Sequence, residues 1–538
     1  MKKFKFIYVL FAFAGLQSCT SDMDVVSEDP RVLSDEVLYS TAAGYKQSLA
    51  GVYGNLSLTG TGDAGSSFLQ GIDAGTSQFG RCMWYLQILT TDEAVWSYEG
   101  QSDAGTAELN RNTWNSNNPL LIGMYSRTMV EVAFVNEFLR QSTPAKLSGR
   151  GITNPTDVAN IEMYRNEVRA LRAYAYYNLM DLFGKAPFVT ENDPLNFQGP
   201  QYDRAQLFTF IESELIAVLP NLKPARTNEY GRLDQAFAKM VLAKIYLNAE
   251  VYIGQNRYAD CMAQCSDIIS SGYTLNPDYL NNFKADNETS SEMIFTLQAD
   301  GVATQNYGPT TVMCNGQVGS LEGGGSEIGV GGWGGALRLR KQFVQKFDGI
   351  DYDFDNRKTI SGGGARSIDI TDIANRNQGY ILKKYSNISS TGIAGPSSTF
   401  VNTDFPLFRL ADAYLMYVEA QMRKDGATNG SATANASATS LGYLNALRDR
   451  ANGYDFPDFS TGQVNLQFLI DERARELHWE GHRRQDLIRF GLYTGGVYNW
   501  AWKGNGQNGI ALPSYRKVFP IPAQSIAANP NLIQNEGY

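Results

Sequence analysis

The chain has 538 residues, and its 46 lysines and arginines against 55 aspartates and glutamates give a net charge of −9, which excludes nucleic acid as a partner. Five cysteines (19, 82, 261, 265 and 314) are too few and too scattered for a disulfide framework. Aromatic residues reach 12%, and many of these rings stand in glycine-, serine- and asparagine-rich stretches where a core does not need them, so some are expected to face a ligand.

The N-terminus, MKKFKFIYVLFAFAGLQSC, has three lysines, an apolar run over 6–16 and then small or polar residues. This predicts a secretory signal over 1–18, too short to span a bilayer. Leu16 stands three positions before Cys19, as in a bacterial lipobox, so Cys19 is the expected lipidation site. Residues 19–34 are polar and acidic and read as a tether. No later run approaches the roughly 20 apolar residues of a spanning helix, so the protein is expected to hang from a membrane rather than cross it. Removing Lys2, Lys3 and Lys5 with the signal leaves 43 basic against 55 acidic residues, or −12.

Beyond the tether, helical periodicity dominates and comes in pairs: 35–53 with 120–139, 162–183 with 207–219, 233–249 with 258–270, and 408–422 with 441–450. Gly184 and Pro220 mark two of the stops. Paired helices with small-residue contacts predict a mainly α fold, a tetratricopeptide-like solenoid without a clean 34-residue consensus. Residues 54–118 and 300–405 lack helical period and form an irregular layer, with short strands expected at 293–299 and 380–385. The mature chain is read as one compact unit, in an N-terminal half over 35–250 and a C-terminal half over 251–538.

Several stretches imitate chemistry. RELHWEGHRRQDLIRFG, residues 475–491, holds the chain's two histidines, four apart and expected on one helix. In the H-E-x-x-H zinc motif the glutamate directly follows the first histidine; here Trp479 does, and Glu480 lies on another face, so no metal is expected. The glycine run over 319–340 lacks a preceding strand and a following helix cap, which excludes a phosphate cradle. DYDFDN, from Asp351, has Asn356 where a calcium loop turns on glycine and Gly362 where the bidentate glutamate belongs. Asp92 and Glu93 are adjacent and so point apart, a poor acid and base pair for a glycosidase. No cofactor is expected, although bound calcium stays open.

Six stretches together resemble one family, the SusD/RagB nutrient-binding outer-membrane lipoproteins of Bacteroidota: EVRALRAYAYYNLMDLFGKAPFV, GRLDQAFAKMVLAKIYLNAEVY, DFPLFRLADAYLMYVEA, LNALRDRANG, LIDERARELHWEGHRRQDLIRFG and the C-terminal VFPIPAQSIAANPNLIQNEGY. The resemblance implies a tetratricopeptide-like scaffold, a lipid anchor, no catalysis, and glycan binding as the lid of a SusC-type TonB-dependent transporter. It also makes both histidines incidental, since the family pattern requires neither.

LTTDEAVWSYEGQ, QADGVATQNYG, NWAWKGNGQNG and the NEGY end are similar to the family's starch-binding member. That similarity implies an aromatic arc with polar neighbours for a curved α-glucan, at Arg81, Tyr98, Gln101, Tyr307 and Trp333. Tyr98 stands where the pattern has tryptophan and Gln101 where it has asparagine. Trp96 joins the expected set, while Trp84 and Trp114 are divided between core and site. The leading expectation is a non-enzymatic binder of starch-like oligosaccharides. Its alternatives are a binder of another glycan or of peptides in the RagB manner, and then a glycoside hydrolase.

Overall fold

The computed structural model describes residues 35–99, 103–362, 364–453 and 456–538; the signal, Cys19, the tether and Gln101 lie outside them. Eleven helices matter here. They are α1 (Ala42–Gly54), α2 (Phe79–Ile88), α3 (Pro119–Gln141), α4 (Pro155–Phe183), α5 (Arg204–Val218) and α6 (Gln235–Leu247), then α7 (Tyr258–Ile269), α8 (Leu410–Lys424), α9 (Ala438–Asn452), α10 (Leu466–Leu477) and α11 (Arg483–Arg489). Local chemistry sets their ends. Asn118 and Asn154 each accept two backbone N–H groups at the starts of α3 and α4, and the proline that follows has no N–H to leave unpaired. α4 stops at Gly184, whose φ of 71° is open to glycine at little cost. Asp203 and Gln206 cap α5 reciprocally, and Pro220 follows its end.

The fold is mainly helical, as expected, and all four expected pairs pack: α1 with α3, α4 with α5, α6 with α7, and α8 with α9. α3 also packs on α4, α4 on α6, and α7 on α8, which joins the pairs into one stack. Ala236, Ala238 and Ala243 of α6 are buried, and their small size lets neighbouring helices approach.

Four local expectations need correction. Residues 35–53 are interrupted at 39–41, ahead of α1. Phe408 and Arg409 belong to a strand rather than to α8. The aperiodic stretch 54–118 contains α2, whose ten residues are all buried, the polar Arg81 and Gln87 included, so no exposed polar face marks it. Finally, 475–491 is not one helix. α10 ends at Leu477, Trp479 and Gly481 take φ of 59° and 83°, and α11 starts at Arg483, so His478 and His482 lie in a turn.

Four short strands connect this scaffold to the irregular layer: β1 (Ala94–Trp96), β2 (Met293–Leu297), β3 (Leu337–Leu339) and β4 (Phe405–Arg409). β1 pairs antiparallel with β3, Ala94 opposite Leu339 and Trp96 opposite Leu337, and β2 pairs antiparallel with β4. Of 380–385 only Ile381–Leu382 is a strand, paired with Ile360–Ser361.

A buried charged seam runs beneath β4 and α10. Arg409 donates to Glu292 at 2.6 Å, to Glu476 at 2.7 Å and to Glu480 at 2.6 Å. Arg450 bridges Glu292 and Glu476, Arg357 reaches Asp355, Glu472 and Glu476, Arg475 reaches Glu472, and Lys384 reaches Glu480 at 2.7 Å. Five cations thus meet five carboxylates. Burial alone would raise the Glu476 carboxyl, but Arg450, Arg409 and Arg357 hold it well below the usual range.

Candidate functional site

The Trp96 ring is fully buried, held by its indole N–H on Asp103 Oδ2 at 2.9 Å and packed so tightly under Gly316 that a Cβ there would come within 2.7 Å of it. The edges of two half-buried rings meet it, Tyr98 at 5.8 Å and Trp333 at 6.4 Å between centroids. The Tyr98 hydroxyl donates to the Trp333 carbonyl at 2.9 Å, so Tyr98 holds the backbone that presents Trp333. From Trp333 the row continues to Tyr307 at 6.5 Å and on to Phe400 at 5.1 Å. Trp333, Tyr307 and Phe400 therefore form a row of partly solvent-facing rings, and Tyr98 joins one end of this band through its hydroxyl and the buried Trp96.

The glycines around Trp333 serve this geometry. Gly332, Gly334 and Gly335 have φ of 81°, 69° and 69°, where other residues are strained. The loop is fastened by backbone: Trp333 N–H donates to Asn315 O at 2.7 Å, Gly335 N–H to Val318 O and Gly331 N–H to Ser398 O, both at 2.8 Å. Asn315 also donates from its side chain to Thr399 O at 2.9 Å, which ties the Trp333 loop to the segment carrying Phe400.

The structure thus brings Tyr98, Tyr307 and Trp333 together at one surface. Two other expected residues lie beneath it. Trp96 is a buried support for the rings, and Arg81 is 4% exposed, paired with Asp103 and donating to the Tyr85 hydroxyl at 2.8 Å and to Gly75 O at 3.4 Å. Gly75 in turn lies against the Tyr307 ring, so Arg81 braces that end from below. Trp84 and Trp114 are core residues. Two neighbours were not legible beforehand: Phe400, and Arg376, whose guanidinium lies 4.3 Å from the Tyr98 centroid and has no ion-pair or hydrogen-bond partner among the described residues.

The imitations of chemistry resolve as structure. His478 is fully buried, its Nδ1 2.9 Å from Arg475 O, and His482 Nδ1 accepts from Lys244 Nζ at 3.1 Å. Burial, then the Lys244 charge, pushes His482 down to about 3, so a neutral ring is packed there. Among the described residues no group of histidine, cysteine and carboxylate side chains is arranged to hold a metal. Asp92 accepts from Arg483 at 2.7 Å and from the Tyr498 hydroxyl at 2.6 Å, whereas Glu93 accepts the Trp479 N–H at 2.9 Å and burial raises it to about 8. Both are buried, away from solvent.

A band of rings and polar side chains on a helical scaffold suits a ligand that offers flat apolar faces edged with hydroxyl groups. The comparisons give the family. The SusD family model matches residues 270–538, and the whole chain is 33% identical to the starch-binding protein SusD of Bacteroides thetaiotaomicron, with complete coverage of both. A SusD-like protein of Formosa agariphila, P25, is 26% identical over 99% of this chain and 98% of its own. Among solved structures, surface glycan-binding protein A from Bacteroides thetaiotaomicron, in complex with laminarihexaose, shares the fold at a TM-score of 0.67 and 20% identity, over 92% of this chain and 99% of that one. The chain belongs to the SusD family.

Proposed function

We propose that the band from Tyr98 to Phe400 binds starch-type α-gluco-oligosaccharides, and that the protein, lipidated at Cys19 and held on the outer membrane, delivers them to a SusC-type TonB-dependent transporter. One observation carries the glycan reading. Successive rings are inclined to one another, Trp333 to Tyr307 by 41° and Tyr307 to Phe400 by 63°, so the rings do not share one flat plane. A curved α-glucan presents its C–H faces to such a band, whereas an extended β-1,4 chain meets one or two rings at a time. Full-length similarity to a starch-binding relative supports the same class. Arg376 and Gln101 supply donors to sugar hydroxyls, while Arg81 and Trp96 hold the rings in place.

Isothermal titration tests this. Maltoheptaose and cyclodextrin are expected to bind more tightly than cellohexaose or laminarihexaose, with no new reducing ends on incubation. Preference for either β-glucan would discard the starch reading, and binding only of peptides would discard the glycan reading. For the anchor, Cys19→Ala is expected to leave the precursor unprocessed or release the protein from membranes. For the transporter, purification from native membranes in mild detergent is expected to recover a large β-barrel partner, and recovery of the lone protein would count against it.

A further inference from the structure

A second feature of sugar-binding character lies outside the band. The loop over 219–234, between α5 and α6, carries Tyr230, which is 50% exposed. Two cavities of about 320 and 330 Å³ share the wall formed by residues 229–232, and Tyr230 lines both. Each is as large as a small-ligand site.

This tyrosine is not a loose surface ring. Its hydroxyl donates to the carboxylate of buried Asp404 and lies 3.0 Å from Thr296 Oγ1, and Asp404 is itself fixed by the Ala299 N–H at 2.8 Å. The loop is equally constrained. Arg232 pairs with buried Glu167, which also accepts the Tyr53 hydroxyl at 2.7 Å. Gly231 has φ 79°, and a Cβ there would overlap the Gln298 amide, so Gln298 packs directly on the loop. A ring held in this way contributes contact area without further ordering on binding.

The lining of the cavity beside α1 matches a sugar. Leu49, Tyr53 and Leu58 supply apolar surface, and Ser57, Gln298 and Thr304 supply neutral hydrogen-bonding groups. The nearby charges are already matched, Lys46 to Glu229 at 3.0 Å and Arg232 to Glu229 at 3.1 Å, which favours a neutral ligand over a charged peptide. One residue of its lining also lies close to the band. Thr304 is three residues before Tyr307, and three trans peptide steps keep their Cα atoms within about 11 Å.

We infer that the cleft beside Tyr230 is a second subsite, which takes the distal units of a neutral oligosaccharide whose other end lies on the Tyr98 to Phe400 band. This rests on the glycan reading of that band. The test compares short and long chains. Wild type, Tyr230→Ala, Ala50→Trp and Trp333→Ala are titrated with maltotriose and with a long maltodextrin, and with laminari- and cello-oligosaccharides of both lengths, after circular dichroism shows each variant folded. Ala50 is exposed on α1 at the cavity, so tryptophan there fills the cleft without touching Asp404. For the glycan series that binds, Tyr230→Ala and Ala50→Trp are expected to weaken the long chain about tenfold and leave the short one unchanged, while Trp333→Ala weakens both. If the long chain binds both cleft variants within twofold of wild type, the second subsite is overturned and the band stands. If no glycan binds the wild type, the band reading falls, and the subsite with it.

Discussion

The charged seam and the aromatic band are two answers to the same demand for a rigid arrangement of large side chains. In the seam, ten ionised groups are buried, and each is held by partners of opposite charge. In the band, rings are held by backbone hydrogen bonds and by a buried tryptophan beneath them, and their outer surfaces stay in contact with water. Removing one member of the seam strands several charges at once. Removing a ring of the band strands no charge, so stability and binding are expected to separate between the two regions.

The strongest test of that separation is Arg409→Met. It leaves Glu292, Glu476 and Glu480 short of a shared cation in a dry interior, and a loss of about 3–5 kcal/mol in urea unfolding is expected. A loss below about 1 kcal/mol would mean that the seam is not the rigid element described.

Glu131 sharpens the comparison from within the scaffold, because it is a buried carboxylate without a cation among the described residues. It accepts from Asn55 at 2.8 Å, its other oxygen has no partner among the described residues, and burial raises it to about 8. In the unfolded chain it ionises near its ordinary value of 4.5, so between there and about 8 the native state holds one more proton. Its contribution to stability is therefore full at low pH and is lost as pH rises toward 8. Glu131→Gln should remove a slope of up to about 1.4 kcal/mol per pH unit, or roughly 3 kcal/mol between pH 5 and pH 8, read from denaturation curves across that range.

On the other side of the comparison, Trp333→Ala should reduce glycan affinity by about 1–3 kcal/mol, or roughly ten- to hundredfold, with little change in melting temperature. A fall in stability as large as that of Arg409→Met would erase the distinction between the regions. The smallest effect is expected of Tyr98→Phe, which keeps the ring but loses the hydrogen bond to the Trp333 carbonyl. About 0.5–1.5 kcal/mol of affinity is expected to go, with faster hydrogen exchange around Gly332 to Gly335 as the direct sign of a loosened loop.

The two regions also differed in legibility. Helices with one polar face and a local stop could be placed to within a few residues, as at Gly184 and Pro220. α2 could not, because its polar residues Arg81 and Gln87 are buried with the rest and no exposed polar face marks it. The charges over 475–491 read as a single helix because the break depends on Trp479 adopting positive φ, which its residue type disfavours and its buried packing imposes. Trp333 and Tyr307 stood out through their glycine neighbours and the family resemblance. Phe400 and Arg376 did not, since each reaches the band from a separate loop, and long-range loop placement leaves no local pattern to read.

The turn between α10 and α11 has one further consequence, for the order in which the chain can assemble. The Trp479 carbonyl accepts the Trp84 indole N–H, the Trp479 amide caps Glu93, and Arg483 neutralises Asp92 immediately before the strand that leads to Tyr98. These contacts close loops of nearly four hundred residues. Such closure is entropically costly, and it cannot begin until the final portion of the polypeptide is present. The helical pairs can form from local contacts, whereas the floor of the ligand band is completed last. A slow final phase in refolding, reported by Trp84 fluorescence and coincident with the appearance of glycan binding, is the kinetic signature of that wiring.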